Sequence, residues 1–259
     1  MIPLVLVGAA GRMGRAVEQA VAETPGFVIK VRVERAADVP PGVVGWTTDA
    51  AAVVGPGDVA IEFSGPVACA ALATLCAERG TGLVSGTTGL DPSQEEAVRF
   101  AARRVAVVRG ANFSLGVAVL RRALRAALAA LPPSWDIEIV ERHHRLKVDS
   151  PSGTALMLAA DAAAGRGGAG GVPCFGRGQG RTGPRPAGEI GVHSVRGGSW
   201  TGEHAVLLAG EGEWLELRHV AQDRRALAHG ALAAARFAAG AAPGLYTIED
   251  VLAAGIRPQ

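Results

Sequence analysis

The chain has 259 residues, 49% hydrophobic and 19% charged, with 26 basic against 24 acidic side chains and a formal net charge of +2. That length holds one large domain or two smaller ones with a substantial core, and aromatics at 4% leave Ala, Val and Leu to build it. The balanced charge, and 36 glycines without a collagen-like period, exclude a disordered tail, a fibrous protein and a DNA-wrapping surface.

The apolar run from Leu4 to Val7 predicts a strand ending at glycine, Arg12 to Ala22 a helix, and Val28 to Val33 a second strand. The rhythm continues with a strand from Val59 to Phe63, a helix from Pro66 to Arg79 and a strand from Gly82 to Ser85. Asp91-Pro92-Ser93-Gln94 opens the next helix, with an N-cap acceptor, Pro at the first helical position and Gln three residues after the cap. Val105 to Val108 closes the series. Strands alternating with helices predict a parallel sheet covered on both faces, with binding loops at the carboxyl ends of the strands.

The pattern changes after Asn112-Phe113-Ser114. A helix from Ser114 to Leu131 carries Leu120, Leu124, Leu128 and Leu131 at helical spacing, and Pro132-Pro133 ends it. Strands follow at Ile137 to Val140, Ile190 to Val195, Ala205 to Leu208 and Trp214 to His219, which predicts an open or antiparallel sheet in an α+β domain. Ala164 to Gly188, rich in Gly, Arg and Pro, reads as a long exposed loop. The chain then returns to helix at Arg225 to Ala239 and Thr247 to Ala254. Cys69, Cys76 and Cys174 lack metal-ligand spacing and predict no disulfide framework. With neither a charged leader nor a run of about 18 apolar residues, a soluble cytoplasmic protein is expected.

Gly8-Ala9-Ala10-Gly11-Arg12-Met13-Gly14 lies between the first strand and the first helix. Glycines there permit a tight turn and close approach of a pyrophosphate, which a helix N-terminus stabilises. Glu34, ending the second strand, can accept hydrogen bonds from the adenosine ribose of NAD, and Arg35 can contact the 2′-phosphate of NADP, unless the two are simply a surface ion pair. Gly86-Thr87-Thr88-Gly89 offers small residues and backbone donors for a nicotinamide ribose, or is an ordinary glycine-rich connection. In Gly110-Ala111-Asn112-Phe113, Asn112 can bond a carboxamide, and Phe113 can pack on a ring or serve as core.

The densest chemistry runs from Glu141 to Ala155. His143 and His144 can exchange protons near neutral pH, and Lys147 supplies positive charge. Ser152, Gly153 and Thr154 present hydroxyls and N–H groups at a helix start, a ready carboxylate site. Adjacent histidines on a strand point to opposite faces, so a shared metal ion is not expected and none is assigned. His193, His204 and His229 read as structural.

The run Glu141 to Ala155 resembles the signature E-x-H-H-x-x-K-x-D-x-P-S-G-T-A of the 4-hydroxy-tetrahydrodipicolinate reductase (dihydrodipicolinate reductase) family. Gly8 to Arg15, Glu62-Phe63-Ser64, Gly86 to Gly89, Ala111 to Gly116, Gly188 to Arg196, Gly202-Glu203-His204 and His219 with Arg224 follow in that family's order. Glu62 stands where the family more often has Asp.

The resemblance implies an α/β protein with a Rossmann-type dinucleotide-binding domain, residues 1–114 plus 225–259, and an α+β substrate-binding and oligomerisation domain, residues 115–224. It implies NADH- or NADPH-dependent reduction of a cyclic dicarboxylate in the diaminopimelate pathway of lysine biosynthesis, by a homotetramer. His143 is then the proton donor and acceptor and Lys147 the second donor, with His144, Ser152, Gly153, Thr154 and Arg224 on the substrate carboxylates. Gly8 to Met13, Glu34, Arg35, Gly86 to Thr88 and Gly110 to Phe113 hold the cofactor. A non-catalytic dinucleotide sensor would dispense with His143 and Lys147, and an amino-acid dehydrogenase on the same fold would lack the H-H-x-x-K run.

Overall fold

The computed structural model describes residues 1–166 and 171–255. In chain order come β1 (Ile2–Val7), α1 (Arg12–Glu23), β2 (Phe27–Val33), β3 (Trp46–Thr47), β4 (Val59–Glu62), α2 (Pro66–Arg79), β5 (Gly82–Ser85), α3 (Pro92–Ala102) and β6 (Ala106–Arg109). Then follow α4 (Leu115–Ala130), β7 (Asp136–His143), α5 (Gly153–Gly165), β8 (Val172–Phe175), β9 (Glu189–Arg196), β10 (Gly202–Ala209) and β11 (Trp214–Ala221). The chain closes with α6 (Arg225–Ala238), β12 (Gly244–Tyr246) and α7 (Ile248–Ala253). Backbone contacts divide it into two units, residues 1–115 with 224 onward, and residues 116–223.

The first unit is built on a seven-stranded sheet in the order β12-β6-β5-β4-β1-β2-β3, every pair parallel. Its central strands are buried along their length, as a sheet packed on both faces requires, and Val5, Ala60, Leu83 and Val107 anchor the core. The capping box expected for α3 is present, with Asp91 Oδ1 accepting from Ser93 N at 2.8 Å and Gln94 N at 2.9 Å. Helix α6 returns to this unit through Gly230, where an added Cβ would stand 1.7 Å from the Phe113 carbonyl oxygen. Only glycine permits that approach.

The second unit carries a five-stranded sheet in the order β11-β10-β7-β9-β8. It is mixed, whereas the strand grouping predicts an open or antiparallel one: β10 runs antiparallel to β7 and β11, and β9 runs parallel to β7 and β8. The parallel pairing arises because α5 carries the chain across one face between β7 and β9. Strand β8 also lies inside the expected loop Ala164 to Gly188. Residues 167–170 of that loop lie outside the described residues.

Alternation along β7 divides the sheet's faces, with Ile137, Ile139, Glu141 and His143 buried and Glu138, Val140 and Arg142 on the other side. Val192, Val206 and Leu208 pack against Leu120, Leu124 and Leu158 of the helices, within the core of the chain itself. The opposite face carries a groove of about 510 Å³ lined by Val140, Arg142, Leu207 and Glu216, among others. Among the described residues, no helix is long and apolar enough to cross a membrane.

Candidate active site

In the first unit, the turn after β1 is fixed by packing. Gly8 has φ +78°, and a Cβ there would meet the Phe63 carbonyl oxygen at 2.5 Å. A Cβ at Gly14 would stand 2.4 Å from the Gly8 carbonyl oxygen, so α1 rests directly on the turn. Gly11 is the N-cap of α1 and no side chain caps that end, which leaves a helix N-terminus facing the loop. Glu34 Oε2 accepts from Ala10 N at 3.0 Å, tying the end of β2 to the same turn.

These residues border a cleft of about 580 Å³ lined by Gly8, Gly11, Glu34, Arg35 and Phe63. An adjoining hollow of about 360 Å³ is lined by Arg12, Met13, Gly86, Thr87, Thr88 and Arg224. A glycine cradle closed to any Cβ, an uncapped helix start and a carboxylate at the end of β2 fit a dinucleotide. Arg35 is 84% exposed along its side chain and pairs with Asp38 at 2.6 Å.

Not every expected contact is offered to the cleft. Ala9 is fully buried, so its backbone alone is available. Phe113 is 1% exposed, with its ring edge-on to Phe63 at 5.8 Å between centroids, and serves as core. Asn112 Oδ1 accepts from Ser114 N at 2.7 Å, shaping the turn before α4. The Thr87 hydroxyl donates inward to Glu62 Oε1 at 2.5 Å. Glu62, 0% exposed, also accepts from Ser64 N, Ser64 Oγ and Ser85 Oγ, each at 2.7 Å.

In the second unit, Glu141 and His143 share the inner face of β7. His143 is 8% exposed, and its Nδ1 lies 2.5 Å from Glu141 Oε2. Arg196, from the end of β9, donates to both oxygens of Glu141 at 2.8 and 2.7 Å, and Ser152 N donates at 3.1 Å. Burial pushes the Glu141 carboxyl up, but the bonds from His143, Arg196 and Ser152 outweigh it and hold the group well below the usual carboxylate range. Glu141 is a carboxylate at neutral pH.

Ser152 is the N-cap of α5, accepting from Ala155 N at 3.2 Å, and its hydroxyl meets His204 Nε2 at 3.1 Å. His204 lies edge-on to His143 at 5.2 Å between ring centroids. Burial, followed by the neighbouring His143, lowers its pKa to about 4, so His204 is neutral. Lys147 Nζ donates to Asp149 at 2.8 Å, and that bond holds the Asp149 carboxyl below its ordinary range. His144 lies just beyond β7, half-buried, its carbonyl accepting from Lys147 N at 3.1 Å.

The structure thus gathers His143 and Ser152 around Glu141, and groups Arg224 with the cleft of the first unit. Glu141 and Arg196 are members of the cluster that sequence reasoning gave no role, and His204, read there as structural, joins them, although Glu141 and His143, two apart on a strand, already share a face.

A parallel sheet with a glycine-rich first turn, joined in one chain to a buried carboxylate–histidine cluster, defines a nicotinamide-dependent oxidoreductase. The family models described as "Dihydrodipicolinate reductase, N-terminus" and "Dihydrodipicolinate reductase, C-terminus" match residues 2–113 and 116–252. The chain is 46% identical over 254 residues to the 4-hydroxy-tetrahydrodipicolinate reductase of Caulobacter vibrioides, covering 97% of each. It is 42% identical over 261 residues to that of Rhodopseudomonas palustris strain BisB18, covering 96% of each. The fold matches a dipicolinate-bound dihydrodipicolinate reductase from Paenisporosarcina sp. TG-14 with a TM-score of 0.79 at 22% identity, over 96% of this chain and 99% of that one. The chain belongs to the dihydrodipicolinate reductase family.

Proposed function

We propose that the chain reduces (2S,4S)-4-hydroxy-2,3,4,5-tetrahydrodipicolinate to 2,3,4,5-tetrahydrodipicolinate in the diaminopimelate route to lysine, with either NADH or NADPH and without a metal. The observation that carries this reading is His143, held by a buried carboxylate beside the N-terminus of α5.

The substrate loses water from its 4-position to give a conjugated imine. A reduced nicotinamide bound in the first unit's cleft would supply the hydride for that carbon. The enamine so formed must then gain one proton. His143 is the group we assign to that transfer, since an imidazole can give and regain a proton near neutral pH. Lys147 sets a positive charge against a dicarboxylate and is a second donor; its bond to exposed Asp149 is a weak tether that a substrate carboxylate can displace. Ser152 N is already bound by Glu141 and Ala155 N by Ser152 Oγ, which narrows the carboxylate contact at the helix start to the Ser152 hydroxyl, Gly153 and Thr154, and the resemblance adds His144. We assign Arg224 to the substrate on the resemblance, and it lines a hollow with Arg12 and Thr88.

For the cofactor, the Gly8 to Met13 turn and the α1 N-terminus would take the pyrophosphate, and Glu34 the adenosine ribose. Arg35 need only leave Asp38 to meet a 2′-phosphate, and an exposed ion pair of that kind is weak. Gly86, Thr88 and Gly110 to Asn112 would border the nicotinamide end. We assign the chain to the cytoplasm, where its three free thiols suit a reducing environment, and to a homotetramer that covers the outer face of the second sheet.

The test is the loss of 340 nm absorbance with enzymatically generated substrate. Wild type should consume either reduced nucleotide, and His143→Gln should lower kcat by about 10²-fold with cofactor affinity unchanged. Activity of His143→Gln within a factor of three of wild type would remove His143 from the reaction.

A further inference from the structure

The sequence assigns Glu141 no part in the chemistry, yet four contacts converge on it. Its Oε2 faces His143 Nδ1 at 2.5 Å, Arg196 spans both oxygens, and Ser152 N at the head of α5 bonds Oε1. A carboxylate accepts hydrogen bonds and donates none. The hydrogen between Glu141 and His143 therefore sits on Nδ1 of the imidazole.

The other ring nitrogen meets the opposite condition. A Cβ at Gly202, at the start of β10, would stand 3.1 Å from His143 Nε2. Gly202 thus leaves the approach to Nε2 open, where any larger residue would crowd it. His204, whose Nε2 is engaged by the Ser152 hydroxyl, packs its ring against His143 and restrains its tilt.

We propose that Glu141 is the positioning residue of the proton transfer: with Arg196 holding it in place, it fixes neutral His143 as the Nδ1–H tautomer and so makes Nε2 the atom that gives up and regains the proton. The inference rests on His143 being the proton donor of the proposed reaction. In the forward step the Nε2–H bond of the imidazolium breaks, the proton passes to the substrate enamine, and the ring is left in the tautomer that Glu141 binds. The ring ends the step without a rotation or a second proton movement. Arg196 and Ser152 N–H serve the same end, keeping the carboxylate ionised and aimed.

The tautomer can be read directly in the full-length protein labelled with 15N-histidine, by long-range proton–nitrogen correlation spectra at a pH where His143 is neutral. His143→Gln identifies the resonances by their loss. Wild type should show Nδ1 protonated and Nε2 bare. Glu141→Gln puts an amide opposite Nδ1 that can donate, so it should move the population toward Nε2–H and lower kcat by about 10²-fold, with the KM for the nicotinamide nucleotide unchanged. Glu141→Asp keeps the charge and should recover part of both signals.

A wild-type spectrum with Nε2–H dominant overturns the proposal, as does Glu141→Gln with unchanged tautomer and kcat within threefold of wild type. The wild-type spectrum decides even if both variants fail to fold. Full activity of His143→Gln would instead strike the assignment of the donor, leaving the tautomer measurement intact.

Discussion

The two sheets each bury one glutamate completely, and they hold it with different partners. Glu62, at the carboxyl end of β4 in the parallel sheet, is bound by hydroxyls and one backbone N–H from Ser64, Ser85 and Thr87. Glu141, on β7 of the mixed sheet, is bound by an imidazole, a guanidinium and the backbone of α5. Neutral donors fix the shape of two loops that border the cleft of the first unit. A titratable partner adds something that shape does not, which is control over where a proton sits. The topology explains the placement. Parallel strands gather their working residues in loops beyond the strand ends, whereas the mixed sheet aligns Ser194, Glu141, His204 and His219 in one row across four strands.

The pH dependence of stability separates the two regions most strongly. Burial depresses His204, so between its ordinary pKa and about 4 the unfolded chain binds a proton that the folded chain refuses. Stability therefore rises with pH through that window and falls as the solution is acidified, by up to about 3 kcal/mol for a group whose pKa drops from 6.5 to about 4. Thermal unfolding of the wild type should show this slope between pH 6.5 and 4.5, and His204→Gln should flatten it. An equal slope in both would locate the titration elsewhere.

Glu62→Gln tests the other side of the comparison. The amide offers fewer acceptor sites to Ser64, Ser85 and Thr87, and a buried unsatisfied donor costs about 1–3 kcal/mol. Urea unfolding should register a loss in that range, accompanied by weaker nucleotide binding in calorimetry. The His143 nitrogen spectrum should not change. If it did, the two carboxylates would not be acting separately.

The smallest effect belongs to Arg35→Ala. Loss of one charge-assisted contact at an exposed site should weaken NADPH by about tenfold, the low end of the 1.5–3 kcal/mol range, and leave NADH nearly unaffected. Equal losses in titration with the two nucleotides would show that Arg35 does not discriminate between them.

Much of this was legible from residues close together in the chain. The hydrophobic rhythm places β1, α1, α2 and α3 because each is long enough, or well enough capped, to declare its period. Strands β3, β8 and β12 have two to four residues and carry no period. They exist because a neighbouring strand offers unpaired backbone groups. Val192, Val206 and Leu208 are apolar at strand spacing, and spacing alone does not say which layer covers them. In the fold α4 and α5 cover them, and the outer face carries a different set.

The candidate site divides along the same line. His143, Lys147 and the Ser152–Thr154 turn lie within a dozen residues, so local sequence is enough to bring them to notice. Arg196 meets Glu141 across 55 residues, and His204 meets Ser152 across 52. The sequence by itself determined the chemistry available, namely a glycine turn fit for a pyrophosphate and an imidazole, an amine and a helix start fit for an acid. Only the tertiary structure decided which nitrogen of His143 is held and which is left open, because that depends on the register of β7 between β9 and β10, and strand register is fixed by long-range packing that local sequence does not encode.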